Sequence, residues 1–331
     1  MRVLVTGARG LLGSAIVARL LAVGDEVRTL QRRPSGLARP YDVVETLGDL
    51  GDPSAVAQAM RGCDAIVHSA ARVGLTGSWA QFAAVNVMGT RTVIGQARRN
   101  GIPRLVYVSS PSVAHSGQPL IGASAEPADP EHTRSPYAQS KAVAEQTVLA
   151  ENDEALRTVA IRPHLVWGPG DMQLIAPIVE RARAGRLLVI DAGHALIDTT
   201  YVDNAAAAIV AAVRAVDEPE VNGRAWVVSN GEPRTVAEIF TRIALAAGLR
   251  PRLRDVSLGT ALLGARAAQR WWALSRRQDD PPLTTFLVEQ LTTAHWFDQT
   301  QTRAALDWSP EVSLAEGFQR LAVWFAERPA T

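Results

Sequence analysis

The chain has 331 residues, 47% of them hydrophobic, and its 34 basic and 33 acidic side chains leave a formal net charge of +1. That is enough chain to bury an ordinary apolar core in one large domain or in a domain with a smaller companion. It is too little net field to gather nucleic acid or an anionic membrane over the whole surface. The single cysteine, Cys63, excludes an internal disulfide and reads as a small core residue, and the six histidines show no metal-ligand spacing.

The opening residues, MRVLVTGARG, enter a strand at once, with no charged leader, apolar stretch and cleavage site in succession. No apolar run reaches the roughly 18 residues that span a bilayer. The expectation is therefore a cytoplasmic protein. Short β-branched runs then alternate with segments of helical period: RVLVTG, EVRTLQ, DVVETL, DAIVHSAA, RLVYVSS and TVAIRP. This rhythm predicts an α/β fold, a Rossmann-type doubly wound parallel sheet with helices on both faces. It fades after residue 170. Residues 1–170 are expected to form the dinucleotide domain, with 195–225 returning to it. Residues 171–194 and 226–331, which hold six of the eight tryptophans, form a smaller, interwoven C-terminal substrate lobe.

In VLVTGARGLLGSAIVARLL, Gly7, Gly10 and Gly13 follow a strand and open a helix. In that setting the first glycine allows a tight turn, the second lets a pyrophosphate reach the backbone, and the third lets helix pack on strand. The helix opens at Leu11 and Leu12, whose end of the backbone presents free N–H groups to phosphate. At the end of the second strand, where NAD-binding proteins carry an acid for the ribose 2′-hydroxyl, stand Gln31, Arg32 and Arg33. Guanidinium groups there, with Arg9 in the glycine turn, favour NADP(H).

The stretch SPYAQSKAVAEQ contains the only lysine of the chain, Lys141, one helical turn after Tyr137. An ammonium beside a phenol favours the phenolate and would bring the tyrosine toward the range useful for acid–base catalysis. Upstream, RLVYVSS ends in Ser109 and Ser110, either of which could hold a reacting oxygen at the carboxyl edge of the sheet.

TGARGLLG, GDLGD, HSAA, SSPSV, YAQSK and RPHLVWGPGD, in this order over roughly the whole chain, resemble the extended short-chain dehydrogenase/reductases. By that resemblance Ser110, Tyr137 and Lys141 are the catalytic triad. Tyr137 donates the proton, Ser110 orients the carbonyl, and Lys141 lowers the tyrosine pKa and holds the nicotinamide ribose. The resemblance also implies Asp49 and Leu50 at the adenine, Ala70 with Ala71 at the central cofactor wall, Ser109 among the cofactor contacts, and Pro163 and Val166 in the nicotinamide-side loop. Pro111 and Ser112 stand where sugar-nucleotide dehydratases carry an acidic pair, which speaks against water elimination.

Within that family the chain is similar to the 3β-hydroxysteroid dehydrogenase branch. Closer still, on WGPGD, DTTYVDNAA, SNGEP and PPLTTFLVEQLTTAHWFD, it resembles bacterial 2-alkyl-3-oxoalkanoate reductases of olefin biosynthesis. The resemblance implies an NADP-dependent ketoreductase of lipid metabolism. A 3β-hydroxysteroid or sterol dehydrogenase is the enzymatic alternative, and a cofactor-bound scaffold that delivers lipid intermediates to a partner enzyme is the alternative of another class. The expected partners are a lipophilic small-molecule substrate, enzymes of the same lipid pathway and a second copy in a homodimer, with no nucleic acid. Residues 256–278 combine Leu258, Leu262, Leu263, Trp271 and Trp272 with Arg266, Arg270, Arg276 and Arg277. This segment is open to three readings: a greasy pocket or core, a partner surface, or a peripheral membrane contact.

Overall fold

The computed structural model describes residues 1–37, 43–74, 77–115, 117–275, 281 and 283–328. The first half runs β1 (Arg2–Thr6), α1 (Leu11–Ala22), β2 (Glu26–Gln31), β3 (Val44–Leu47), α2 (Pro53–Met60) and β4 (Ala65–His68). A short α3 (Trp79–Phe82) passes through a π-helical turn, Ala83–Met88, into α4 (Gly89–Arg99). Then come β5 (Arg104–Val108), β6 (Leu120–Ala123), α5 (Pro136–Ala150), β7 (Arg157–Pro163) and β8 (Val166–Trp167). The second half adds α6 (Ile175–Arg183), β9 (Leu188–Ile190), β10 (Leu196–Ile197), β11 (Thr200–Tyr201), α7 (Val202–Ala215), β12 (Ala225–Val228) and β13 (Arg234–Thr235). It closes with α8 (Val236–Ala246), β14 (Arg254–Val256), α9 (Leu258–Leu274), α10 (Thr285–Thr292), β15 (His295–Phe297), α11 (Thr300–Leu306) and α12 (Leu314–Ala326).

Seven strands form one parallel sheet in the order β12-β7-β5-β4-β1-β2-β3. Its central strands are apolar almost without interruption because helices cover both faces. Alternate residues serve alternate faces. Val3, Val5, Val67 and Val106 meet Ile16, Val17 and Leu20 of α1 and Ile209 and Val213 of α7. Leu4, Ile66, Leu105 and Tyr107 meet Val56 and Met60 of α2, Val93 of α4 and Val148 of α5. Cys63 is buried in this second layer, and burial pushes its thiol up to about 11, so it acts as an apolar filler. The strand order reverses between β1 and β4. A crevice opens at such a reversal, at the carboxyl ends of the strands.

The second lobe has its own core around Trp167, Phe240 and Phe318, with the Trp167 and Phe318 rings stacked at 4.7 Å. Its four-stranded sheet, β13-β10-β15-β6, draws β6 from the first half of the chain. Helix α7 returns to pack on α1, and β12 extends the large sheet beyond the expected limit at residue 225. β10, inside the segment expected to return, instead pairs with β13 and β15. Buried histidines close the seam between the sheets: His164, just after β7, lies 2.8 Å from His295 of β15, ring nitrogen to ring nitrogen.

Helix α9 carries the leucine- and tryptophan-rich segment, and its inward residues are Ala261 and Ala265. Leu263, Trp271 and Leu274 face outward at 63% exposure or more, which removes them from any core. Arg276 and Arg277 lie outside the described residues. Among the described residues no helix is long and apolar enough to cross a membrane.

Beneath α5 lies a buried ion pair. Arg162 of β7 donates through Nε and Nη2 to the two oxygens of Glu145, at 2.9 and 2.5 Å, and through Nη1 to the Glu126 carbonyl at 2.7 Å. Both side chains are 1% exposed. Removing one charge strands the other away from water. Arg162→Met should therefore lower unfolding stability by about 3–5 kcal/mol, and adding Glu145→Leu should recover more than half of the loss. Denaturant midpoints of the two variants check this; equal destabilisation by both would show that packing, not the stranded charge, sets the cost.

Candidate active site

The carboxyl end of β1 runs into the glycine turn. Gly7 has φ 76°, and a Cβ there would stand 2.8 Å from the backbone of Ala70 at the end of β4. A Cβ on Gly13 would come within 2.2 Å of the Gly7 carbonyl oxygen, so only glycine lets α1 start this close to the strand. At Gly10 the nearest protein atom to a Cβ would be 3.5 Å away, an ordinary contact. No protein atom there requires glycine. Gly10 caps α1 without a side chain, and the first turn, from Leu11, has no acid. This cradle of bare N–H groups fits a pyrophosphate.

The residues expected on the adenosine side lie in the turn after β1 and beyond the ends of β2, β3 and β4. Arg9, Arg32 and Arg33 are exposed, at the glycine turn and beyond the end of β2. Gln31 is buried and donates to Glu45 of β3, which also accepts from the Ser35 backbone N–H at 3.1 Å. Asp49 is exposed and accepts from the Gly51 N–H, whereas Leu50 is buried against Gly89. Ala70 and Ala71 are half-buried, and the Ala70 N–H donates to Thr6 Oγ1 at 3.1 Å. Pro163 is buried at the end of β7, and the chain turns through Leu165, φ 42°, to reach a half-buried Val166.

The chemistry gathers at the end of β5. Ser109 is buried with its hydroxyl unpartnered, and its N–H donates to the Ile161 carbonyl. Ser110 caps the 3-10 turn Pro111–Ala114 by accepting from the Ser112 N–H, and its hydroxyl is 2.9 Å from that of Ser112. Helix α5 starts as the Ser-Pro pair leads one to expect, with Ser135 Oγ accepting from the Ala138 N–H at 3.2 Å and Pro136 in the first turn. That start puts Tyr137 against Ser110.

The electrostatics correct one expectation. Burial pushes the Tyr137 phenol up to about 12, and only the hydrogen bond with Ser110 opposes it. Lys141 does not pull it down. Lys141 is 2% exposed; its ammonium donates to the Val108 carbonyl at 2.6 Å and lies 4.0 Å from the centre of the Tyr107 ring. Burial lowers its pKa to about 7, partly opposed by Glu145 one turn along the helix. The reason is geometric: one turn of helix sets the two side chains side by side, but the end of β5 supplies a nearer acceptor for the ammonium than the phenol does. At neutral pH Tyr137 keeps its proton. The arrangement offers a protonated phenol, a serine hydroxyl that can orient an oxygen, and an ammonium one helical turn along from the phenol.

A second set of residues escaped the sequence reading. Ala70 N–H donates to Thr6 Oγ1, which lies 2.8 Å from His68 Nδ1; His68 Nε2 lies 3.0 Å from Thr90 Oγ1, which donates to the Asn86 carbonyl at 2.6 Å. Because each hydroxyl has one proton, the chain runs one way and His68 carries its proton on Nε2. Burial lowers His68 to about 3, so it stays neutral. Asn86 sits in the π-helical turn, and its amide donates to Ser140 Oγ of α5 at 2.9 Å and to the Arg72 carbonyl at 3.0 Å. A polar residue inside the apolar run AAVNVM was the available signal.

The family model of the 3-beta hydroxysteroid dehydrogenase/isomerase family matches residues 4–256. A 2-alkyl-3-oxoalkanoate reductase of Stenotrophomonas maltophilia is 42% identical over 97% of this chain and 98% of its own length. One from Shewanella oneidensis is 35% identical over 96% of this chain and 84% of its own. Among solved structures, the UDP-glucose 4-epimerase of Thermus thermophilus in complex with NAD superposes with a TM-score of 0.70 over 99% of this chain and all of that one; at 24% identity the likeness is one of fold. With the glycine cradle and the serine, tyrosine and lysine all at one sheet edge, these matches make the chain an oxidoreductase that belongs to the 3-beta hydroxysteroid dehydrogenase/isomerase family, within the extended short-chain dehydrogenase/reductases.

Proposed function

We propose that this chain reduces the 3-oxo group of a long-chain 2-alkyl-3-oxoalkanoate to the 2-alkyl-3-hydroxyalkanoate with NADPH, as a step of olefin and hydrocarbon biosynthesis. The observation that carries the reading is the 42% identity, over nearly the full length of both chains, to a reductase of that name. The proton that the half-buried Tyr137 keeps supports the direction, because reduction of a ketone needs a donor that still holds its proton.

In this reading Ser110 donates to the 3-oxo oxygen and holds it beside Tyr137, which passes its proton to that oxygen as negative charge develops there. Lys141, held by Val108 and Tyr107, stabilises that charge and binds the ribose on the nicotinamide side. Gly7, Gly10, Gly13 and the first N–H groups of α1 hold the pyrophosphate. Ala70 and Ala71 form the central wall of the cofactor site, Pro163 and Val166 its nicotinamide-side loop, and Asp49 and Leu50 face the adenine. A bound nicotinamide supplies the hydride.

The exposed Arg32 and Arg33 beyond β2, with Gln31 engaged by Glu45 where an acid would otherwise serve a ribose hydroxyl, support NADPH over NADH. The family name favours one second reading, a 3-oxosteroid as substrate.

Mass spectrometry of products from NADPH with a panel of 2-alkyl-3-oxo acids and 3-oxosteroids tests the function, with the alkyl acids expected to turn over. Tyr137→Phe should bind NADPH as the parent does and lower turnover by roughly 100-fold or more; turnover of the steroids alone, or a fully active phenylalanine variant, would refute the proposal. Replacing Arg32 and Arg33 together by alanine should lower kcat/KM for NADPH by roughly 10- to 100-fold with little change for NADH. Parallel losses with both cofactors would remove the arginines from the site. Lys141 loses its proton as pH rises through about 7, while Tyr137 keeps its own to about 12. The kcat/KM for NADPH, which reports the free enzyme, should therefore fall about tenfold per unit above that first value. An initial-rate profile that stays flat up to about pH 9 would show that the ammonium is dispensable.

A further inference from the structure

A 2-alkyl-3-oxo acid brings a carboxylate whose carbon is only two bonds from the carbonyl that reacts. An ionised carboxylate in a crevice is costly unless a cation meets it. Lys141 is already committed to Val108 and to the Tyr107 ring. A further cation, Arg72, is tied by its main chain to the helix that carries Tyr137.

Arg72 leaves the end of β4 directly after Ala71, and its main chain is clamped on both sides by one amide. Its N–H donates to Asn86 Oδ1 at 2.7 Å, and its carbonyl accepts from Asn86 Nδ2 at 3.0 Å. The same amide donates to Ser140 Oγ, which donates in turn to the Tyr137 carbonyl at 2.7 Å. Two links thus tie Arg72 to the helix that carries the phenol. Its guanidinium carbon lies 5.3 Å from the centre of the Phe82 ring, and Phe82, 1% exposed, packs edge-on against Tyr137 with ring centres 6.2 Å apart. A Cβ on Gly77 would come within 2.9 Å of Phe82 and 3.5 Å of Arg72 Nη2, so glycine keeps this stack open. Arg98, Arg104, Arg134, Arg162, Arg214 and Arg320 each meet a carboxylate. Arg72 is exposed and meets none among the described residues.

We infer that Arg72 is the carboxylate-binding residue of the substrate site: its planar fork receives the acid group of the substrate while the 3-oxo oxygen lies between Ser110 and Tyr137. This rests on the proposed reaction and adds what it lacks, a residue that distinguishes a free 3-oxo acid from a neutral ester or a steroid. The fork suits a carboxylate bidentately, and its cation–π contact with Phe82 sets it beside the ring that packs on Tyr137.

The test uses the reverse direction, since 3-hydroxy acids do not decarboxylate: oxidation with NADP+ of a 2-alkyl-3-hydroxy acid and of its methyl ester, by the parent enzyme, Arg72→Gln and Arg72→Lys. The glutamine variant should lose about 10- to 100-fold in kcat/KM for the acid, mostly through KM, and the ester should lose no more than about threefold. The lysine variant, with the charge but not the fork, should fall between the two. An unchanged dissociation constant for NADP+ confirms that the variants are folded. Equal losses for acid and ester, or none for the acid, would overturn the assignment. If the parent enzyme oxidises neither compound, the proposed reaction fails, and the assignment to Arg72 with it; that outcome is visible before any variant is compared.

Discussion

A single ammonium at the carboxyl end of a buried strand imposes the strictest constraint on this molecule. Lys141 has almost no access to water, and a cation so placed survives only where fixed dipoles and charges replace its hydration. The Val108 carbonyl, the face of the Tyr107 ring and the Glu145 carboxylate do this. Two come from neighbouring residues of β5 and the third from α5 itself. Lysine meets this requirement better than arginine would, because a compact ammonium can sit over one ring and reach one carbonyl without needing five satisfied donors. Glu145 is in turn held by Arg162, so the cation, carboxylate and guanidinium form a line running from the crevice into the sheet.

Parallel to that charged line runs a neutral one. Thr6, His68, Thr90, Asn86 and Ser140 join the ends of β1 and β4 to the π-helical turn and then to α5. Hydroxyls and a neutral imidazole can be buried because each donor finds an acceptor, and the unique direction of the protons leaves one arrangement. The widened helical turn is what brings Asn86 into reach, in keeping with the habit of such turns to occur at functional positions. The glycine turn, the end of β4 and the helix bearing Tyr137 are thereby fixed relative to one another. A reaction that requires a hydride donor and a proton donor on the same carbonyl depends on that registration.

The second lobe is tied in by the same kind of contact. β6 leaves the first half of the chain to join β15, and His164, just after β7, meets His295 across the seam. Burial keeps both imidazoles below their ordinary pKa, so the joint is made by neutral groups. On α9, Ala261, Ala265 and the half-buried Leu262 face the neighbouring elements, while Leu263, Trp271 and Leu274 point outward.

Local patterns were enough to read the parallel sheet, the cradle of Gly7, Gly10 and Gly13, the Ser135–Pro136 helix start and the turn that separates Tyr137 from Lys141. Each depends on neighbours in the chain: period, steric size, or a cap. Patterns of this range could not say where the Lys141 ammonium points, because Val108 lies 33 positions away and competes with the phenol only once β5 and α5 are packed. The same holds for the height of the Tyr137 pKa, which burial decides, and for Arg72, whose clamp by Asn86 spans 14 positions and whose platform is a ring from another helix. Candidate residues could be named from the chain; which of them share a proton or a charge depends on distances that exist only after the layers close.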